Sequence, residues 1–436
     1  MQSNRREFLV ATGGAAALSL TARSRGAQAG SSPNERGNVG FIGLGGQGRY
    51  RLDGFMKQSD VNVAALCDVD ESHLRNAAGI VEKARGQSPA TFGDFRKLLE
   101  RKDVDAVCIA TPDHWHALTT IQACQAGKDV FVEKPLCHSI AEGRVMLNTA
   151  TKHARITQLG NHIHNDYPNY RRVVELVRSG ILGKIDRVHC WTRSPARGIG
   201  NPPDGTPPKE LDYDFWLGPA PKRAYNPNRS HGQFRYFWDY SGGVYIDFWC
   251  HITDVVYWAL DLKYPTKVEA SGPQVDAERT PKAMQVKFEF PARGTLPPVT
   301  LHWYHAAKGP EILRKHNLSG KDSNTLFIGS KGMLLCGFSK RELLPKEKFA
   351  DFKAPEPFVP DSPGFHKEFI AACKGGKPAT CCFDYSGPMA ETVLLGNVAY
   401  RVGGFDWDAQ TLTAKGNPAA EPLLREAFRK GWEVEG

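Results

Sequence analysis

Residues 38–48 read Asn38-Val39-Gly40-Phe41-Ile42-Gly43-Leu44-Gly45-Gly46-Gln47-Gly48. A short apolar strand here runs straight into Gly-x-Gly-x-x-Gly. Gly43 permits a tight turn, Gly45 lets backbone approach a pyrophosphate, and Gly48 lets the following helix pack against the strand. The next apolar stretch, Val61 to Cys67, ends at Asp68. A carboxylate at that point is placed to hold the ribose hydroxyls of an adenosine. Its charge opposes a 2′-phosphate, so the expected cofactor is NAD rather than NADP, with Asp70 as the second candidate for the ribose contact.

Working outward, strands and helices keep alternating. Phe95 to Arg101 reads as a short helix and Val104 to Ala110 as a buried strand. The loop Thr111-Pro112-Asp113-His114-Trp115-His116 feeds a helix that ends near Gly127. Asp129 to Val132 is the next strand, followed at once by Glu133-Lys134-Pro135. Short connections between alternating elements specify a parallel, doubly wound sheet, whose ligands sit at the carboxyl ends of its strands. Thr111, Pro112, His116 and Glu133 are therefore cofactor-site candidates beside Gly43, Gly45, Gly48 and Asp68. Lys134 puts a cation where a nicotinamide and a substrate hydroxyl would meet, and Pro135 restricts the residue before it.

Farther along, Gly242-Gly243 opens a stretch carrying Asp247, His251 and Asp254. At spacings i, i+4 and i+7 these share one helix face. An imidazole with carboxylates beside it is equipped for proton transfer with a hydroxyl, although such residues also hydrogen-bond within cores.

Four landmarks now stand in order: Gly43 to Gly48, Ala110 to His116, Glu133-Lys134-Pro135, and Gly242-Gly243 through Asp247 and His251 to Asp254. Together they resemble the glucose–fructose oxidoreductase and inositol dehydrogenase family, Gfo/Idh/MocA. The resemblance runs from about Asn38 to near Arg401, and Phe215 to Pro221 and Phe327 to Gly332 add family-like stretches. It implies an α/β chain: a Rossmann domain over 38–155 and a substrate-binding and oligomerisation α+β domain over 156–436, with an open, largely antiparallel sheet. It also implies that His251 takes the hydroxyl proton, Lys134 steadies the developing alkoxide, and Asp247 holds substrate and tunes its neighbours. Cys250 and Ser241 depart from the family pattern, and Tyr245 and Trp249 suggest a bulkier site. The stretch Gln158 to His164 replaces the polar contact, often arginine, expected from the second domain.

Arg235, His162 and Asp254 complete the substrate candidates, although an ion pair with Asp239 or Glu210 would equally account for Arg235. His162 and His164 form a His-x-His, but no carboxylate or cysteine stands at ligand spacing in the sequence, so no metal is expected. The aromatics between Trp191 and Trp258 suit sugar faces and cores alike.

Ahead of the first strand, Asn4-Arg5-Arg6-Glu7-Phe8-Leu9, an Ala- and Gly-rich apolar stretch and Ala27-Gln28-Ala29 spell a twin-arginine export signal over 1–29, with a linker over 30–37. That places the mature protein in the periplasm or otherwise exported, folded before export around a cofactor that stays bound. The net charge of +9 includes Arg5, Arg6, Arg23 and Arg25, which leave with the signal. No basic run is interleaved with aromatics, so nucleic acid is not an expected partner. No apolar run is long enough to span a membrane after processing. Ten cysteines without a Cys-x-x-Cys read mostly as buried thiols.

The sequence thus supports an oxidoreductase acting on a sugar or polyol, assembled as a homo-oligomer through the second-domain sheet. The alternative is an NAD-dependent glycosidase or lyase that oxidises its sugar transiently. A cofactor-bearing binding protein is a third reading, against which the trio Lys134, Asp247 and His251 argues.

Overall fold

The computed structural model describes residues 37–193, 198–305 and 309–434. The twin-arginine stretch lies outside the described residues. Six parallel strands form the first sheet: β1 (Gly37–Ile42), β2 (Val61–Cys67), β3 (Ala90–Phe92), β4 (Ala106–Ile109), β5 (Asp129–Val132) and β6 (Thr157–Leu159), in the order β3-β2-β1-β4-β5-β6. Strand order reverses between β1 and β4, and the carboxyl ends there open a crevice. β6 lies beyond residue 155 yet pairs with β5, so the sheet takes in residues past that expected boundary.

The central strands are buried along both faces, as their unbroken apolar runs require. Helix α1 (Gly46–Met56) leaves the glycine turn with no side chain capping its first turn. Helix α2 (Glu71–Arg85) is capped by Asp70, whose carboxylate accepts from the backbone N–H groups of Ser72 and His73.

The second sheet has nine strands: β7 (Ile185–Thr192), β8 (Lys267–Ser271), β9 (Met284–Phe290), β10 (Val299–His305), β11 (Thr325–Gly329), β12 (Gly332–Cys336), β13 (Arg341–Leu344), β14 (Phe405–Asp408) and β15 (Thr413–Lys415). Their order is β13-β12-β11-β7-β10-β9-β8-β14-β15, antiparallel except for the β7–β10 pair. Alternation of buried and less buried residues along β9 and β10 matches a sheet covered on one face. The helices Gly243–Leu260 and Phe383–Val402 supply that cover.

Tyr245 and Trp249 point into this interface. Trp249 meets Trp303 and Phe288 at ring separations of 5.3 Å. They fill the core and do not bulk up the site, because they sit on the helix face turned toward the sheet. All ten cysteines are free thiols, most of them buried. Among the described residues, no helix is long and apolar enough to cross a membrane.

Candidate active site

The crevice begins at the glycine turn. Gly43 has φ +86°, and a Cβ there would lie 2.7 Å from the carbonyl of Ala110. A Cβ on Gly48 would collide with the carbonyl oxygen of Gly43, which is the close helix–strand packing expected of it. Gly45 and Gly46 border a cavity of ≈ 400 Å³ that also reaches Asp68, Thr111, Pro112, Glu133, Lys134 and Arg235. The uncapped N–H groups of α1 open beside it, a ready site for pyrophosphate.

Asp68 accepts from the backbone N–H of Leu44 at 2.6 Å and of Asp70 at 2.9 Å. Oδ1 retains a lone pair for a ribose hydroxyl, while Oδ2 also faces His73 Nδ1 at 3.6 Å. Thr111, which borders the same cavity, adds a buried hydroxyl with no hydrogen-bond partner among the described residues. A dinucleotide fits this donor set: open backbone for phosphates, a carboxylate for the ribose, and a cation at the far end.

That cation is Lys134, which follows β5 and precedes a cis peptide bond to Pro135. Its ammonium donates to the carboxylate of Asp247 and, at 3.3 Å, to the Asp247 carbonyl. Arg235 Nε donates to the same carboxylate oxygen at 3.2 Å. Arg235 therefore pairs with neither Asp239 nor Glu210; Asp239 is taken by Arg223. Burial alone would push the Asp247 carboxyl up, but Lys134 and Arg235 outweigh it and hold it at about 2. Burial works against the Lys134 charge, yet Asp247 more than offsets this and raises the ammonium above its ordinary value. At neutral pH the pair is a charged unit.

His251 lies one turn on from Asp247. Burial, reinforced by the Lys134 charge, lowers its imidazole to about 3, so it is neutral with a lone pair available. Its Nδ1 lies 3.2 Å from Asn161 Oδ1, a contact that makes Nδ1 the protonated nitrogen and leaves Nε2 as the acceptor. Asn161 in turn donates to Asp254 and, at 3.2 Å, to the carbonyl of Cys250. The His162 ring stands 5.5 Å from that of His251, edge to face.

Two expected contacts take other positions, and a third is committed to a neighbour. Asp254 has no exposed surface and is occupied by Asn161, by His164 at 2.6 Å and by the Tyr385 hydroxyl at 2.5 Å. With its lone pairs taken inside the core it cannot touch substrate; it anchors the side chain that orients His251. His116 is also fully buried, each ring nitrogen against a carbonyl: Pro135 at 2.7 Å and Thr111 at 3.0 Å. It ties together the two loops that border the cofactor cleft and does not line the cleft itself. Glu133 borders the cavity but is committed to Arg51, with Gln47 donating to it at 3.1 Å.

His162 and His164 do not converge. His162 meets Asp166 at 2.8 Å, while His164 turns inward to Asp254, because the chain bends into a short helix, Ile163–Asp166, where a strand would have aligned them. Tyr385 is not singled out by the sequence, and Asn161 stands there only as part of the Gln158 to His164 stretch, with no role beside His251 assigned.

A profile of the GFO_IDH_MocA oxidoreductase family, NAD-binding Rossmann fold, matches residues 37–161, and one of that family's C-terminal alpha/beta domain matches residues 196–434. The chain belongs to this oxidoreductase family. Residues 37–161 are its NAD-binding Rossmann domain.

A glycosyl hydrolase family 109 protein of Shewanella putrefaciens is 34% identical over 155 residues, 34% of this chain and 33% of the relative. An alpha-N-acetylgalactosaminidase of Shewanella oneidensis is 31% identical over the same length and coverage. The match thus spans about a third of each of these relatives. Among solved structures, the WlbA dehydrogenase of Bordetella pertussis, in complex with NADH and UDP-GlcNAcA, has a TM-score of 0.60 at 16% identity and covers 86% of this chain and 99% of its own. The scyllo-inositol dehydrogenase of Lactobacillus casei, with bound NAD(H) and scyllo-inositol, has a TM-score of 0.53 at 19% identity, covering 84% and 97%. Both share the fold.

Proposed function

We propose that the protein moves a hydride between a hydroxyl-bearing carbon of a sugar or polyol and NAD. The observation that carries this reading is that Lys134, at the end of the cofactor cleft, is held in a charged pair with Asp247, one helical turn from a neutral, oriented His251. NAD held by the glycine turn and Asp68 supplies the hydride acceptor.

His251 Nε2 takes the proton of the substrate hydroxyl as the C–H bond gives up its electron pair. Lys134 donates a hydrogen bond to the oxygen as negative charge develops on it. Asp247 keeps Lys134 charged and fixes its direction. Arg235, at the cleft wall, and His162, beside the His251 ring, are the side chains assigned to the remaining hydroxyls. The Asp68 carboxylate opposes a 2′-phosphate and supports NAD over NADP. In an exported protein, free NAD is not at hand to exchange, which supports a resident cofactor recycled between two substrates. The incompletely covered second sheet supports a homo-oligomer.

The glycosyl hydrolase family 109 relatives favour a second reading on the same groups. Oxidation of one ring carbon acidifies the neighbouring C–H. Loss of that proton expels the glycosidic oxygen from the next carbon as an alcohol; water then adds its hydroxyl to that carbon while a proton returns to the deprotonated one, and the hydride is given back. No net oxidation results.

The test is nicotinamide fluorescence of the purified protein during addition of sugars, polyols and glycosides, with product analysis of each responder. A change with one of these classes supports hydride transfer. An oxidised product identifies the dehydrogenase, and a hydrolysed glycoside of unchanged oxidation state identifies the second reading. No response to any of them, with NAD demonstrably bound, overturns both.

A further inference from the structure

At the opposite end of the cleft from Lys134, a second group of side chains is drawn together. Residues 210–212 run antiparallel to residues 69–71: Asp70 bridges Leu211, the N–H of Glu71 donates to the carbonyl of Glu210, and that of Asp212 donates to the carbonyl of Val69, both at 3.0 Å. This pins a loop of the second domain across the turn between β2 and α2. Past the short helix Tyr213–Leu217, the chain then delivers His231, whose Nε2 lies 3.0 Å from Asp70 Oδ2.

His73, from the first turn of α2, brings its ring to 4.8 Å from that of His231, tilted at 47°. Among the described residues, Asp70, His73 and His231 form the one cluster in which three such groups each offer a ligand atom within 4.8 Å of the others.

Two features distinguish the cluster from an ordinary His–Asp hydrogen bond. The Asp70 carboxylate is held in place, because Oδ1 accepts from the N–H groups of Ser72 at 2.8 Å and His73 at 3.1 Å, leaving Oδ2 to meet His231. Behind His73, Asp68 Oδ2 stands 3.6 Å from Nδ1. A carboxylate at the back of an imidazole is the arrangement that orients metal-binding histidines. His73 and His231 also border the open cavity, so an ion and its water can enter.

We propose that Asp70, His73 and His231 bind a divalent transition-metal ion of the zinc class, clamping the second-domain loop onto the Rossmann domain at the adenosine end of the cleft. Two imidazole nitrogens and one carboxylate oxygen are a borderline donor set that suits zinc and cobalt and leaves a fourth position to water. Ligands ~2.1 Å from a tetrahedral centre stand ~3.4 Å apart, so roughly 1 Å of side-chain movement closes the set. The sequence does not display this site, because His231 lies 161 residues from Asp70 and no spacing rule connects them.

The experiment is equilibrium dialysis of the chelator-stripped, untagged protein against zinc chloride alone, with metal content read by elemental analysis. It is run at mildly alkaline pH because the Asp68 carboxylate, outweighing burial, raises the proton affinity of His73. The wild type is expected to take up one zinc per chain, and His73→Ala and His231→Ala each to bind at least about ten-fold more weakly. His316→Ala, at an exposed position away from the cluster, should bind as the wild type does. Thermal melts of the zinc-free variants confirm that they fold. Wild type that binds no more zinc than His231→Ala overturns the proposal. Cobalt supplies a second measurement: an intense tetrahedral absorption band in the wild type supports the site, and its persistence in His231→Ala refutes it.

Discussion

Replacing Asp247 by Asn tests the charge arrangement directly, because it keeps the shape of the side chain and removes only its charge. Burial by itself disfavours the Asp247 carboxylate, yet Lys134 and Arg235 hold its pKa at about 2 against an ordinary 3.8. That difference of nearly two units amounts to about 2–3 kcal/mol in favour of the ionised form. In Asp247→Asn the interaction is lost and two cations face each other. Burial, the strongest influence on Lys134, then acts with Arg235 to drive its pKa down where the wild-type pair drives it up.

If Lys134 must be charged and correctly aimed in the transition state, losing 2–3 kcal/mol slows hydride transfer roughly 30- to 150-fold. The assay is single-turnover reduction of bound NAD by the sugar that responds in the fluorescence screen, followed across pH. Wild type should hold its rate through the alkaline range, since Lys134 stays protonated there. Asp247→Asn should lose rate on the alkaline side as Lys134 deprotonates, while binding of NAD, measured separately, stays unchanged. A variant with wild-type rate and alkaline profile would refute the assignment of Asp247 as the group that keeps Lys134 charged.

Other expectations follow from the same geometry. His251→Ala should bind NAD normally and turn over about 100-fold or more slowly; because the His251 imidazole lies at about 3, no inflection near pH 6.5 in the wild-type kcat/KM profile should vanish with it. Asp68→Ala should weaken NAD and narrow its advantage over NADP, measured by titration of both cofactors, and unchanged affinities would remove Asp68 from the ribose site. Gly48→Ala drives a Cβ into the Gly43 carbonyl and should abolish NAD binding or destabilise the fold, read by cofactor titration and thermal melting. Asp254→Ala leaves His164, Asn161 and Tyr385 without their buried partner and should cost about 3–5 kcal/mol in chemical denaturation.

What could be read from the sequence depends on how far apart the partners are. The glycine turn, Asp68 and Lys134 owe their positions to strand ends next to them in the chain, so an apolar run followed by the right residue was enough to locate them. Asp247 and His251 could be paired because a single helix sets their spacing. The same rule misplaced Asp254, since a shared helix face does not say how deep each turn lies. By the second turn that face has passed under Asn161 and Tyr385, and a carboxylate there meets hydrogen-bond donors from 93 and 131 residues away. His116 went to the cofactor for a similar reason. Its loop borders the cleft, but its ring points back at the Pro135 carbonyl, whose position depends on a neighbouring strand. Both residues act through others: Asp254 through Asn161 on His251, and His116 on the loops carrying Thr111 and Lys134. The sequence therefore marked residues whose environment is set locally and misjudged those whose environment is built by packing. That accounts for why Asp254 and His116, whose surroundings are built by packing, read as contacts in the sequence and sit inside the core in the structure.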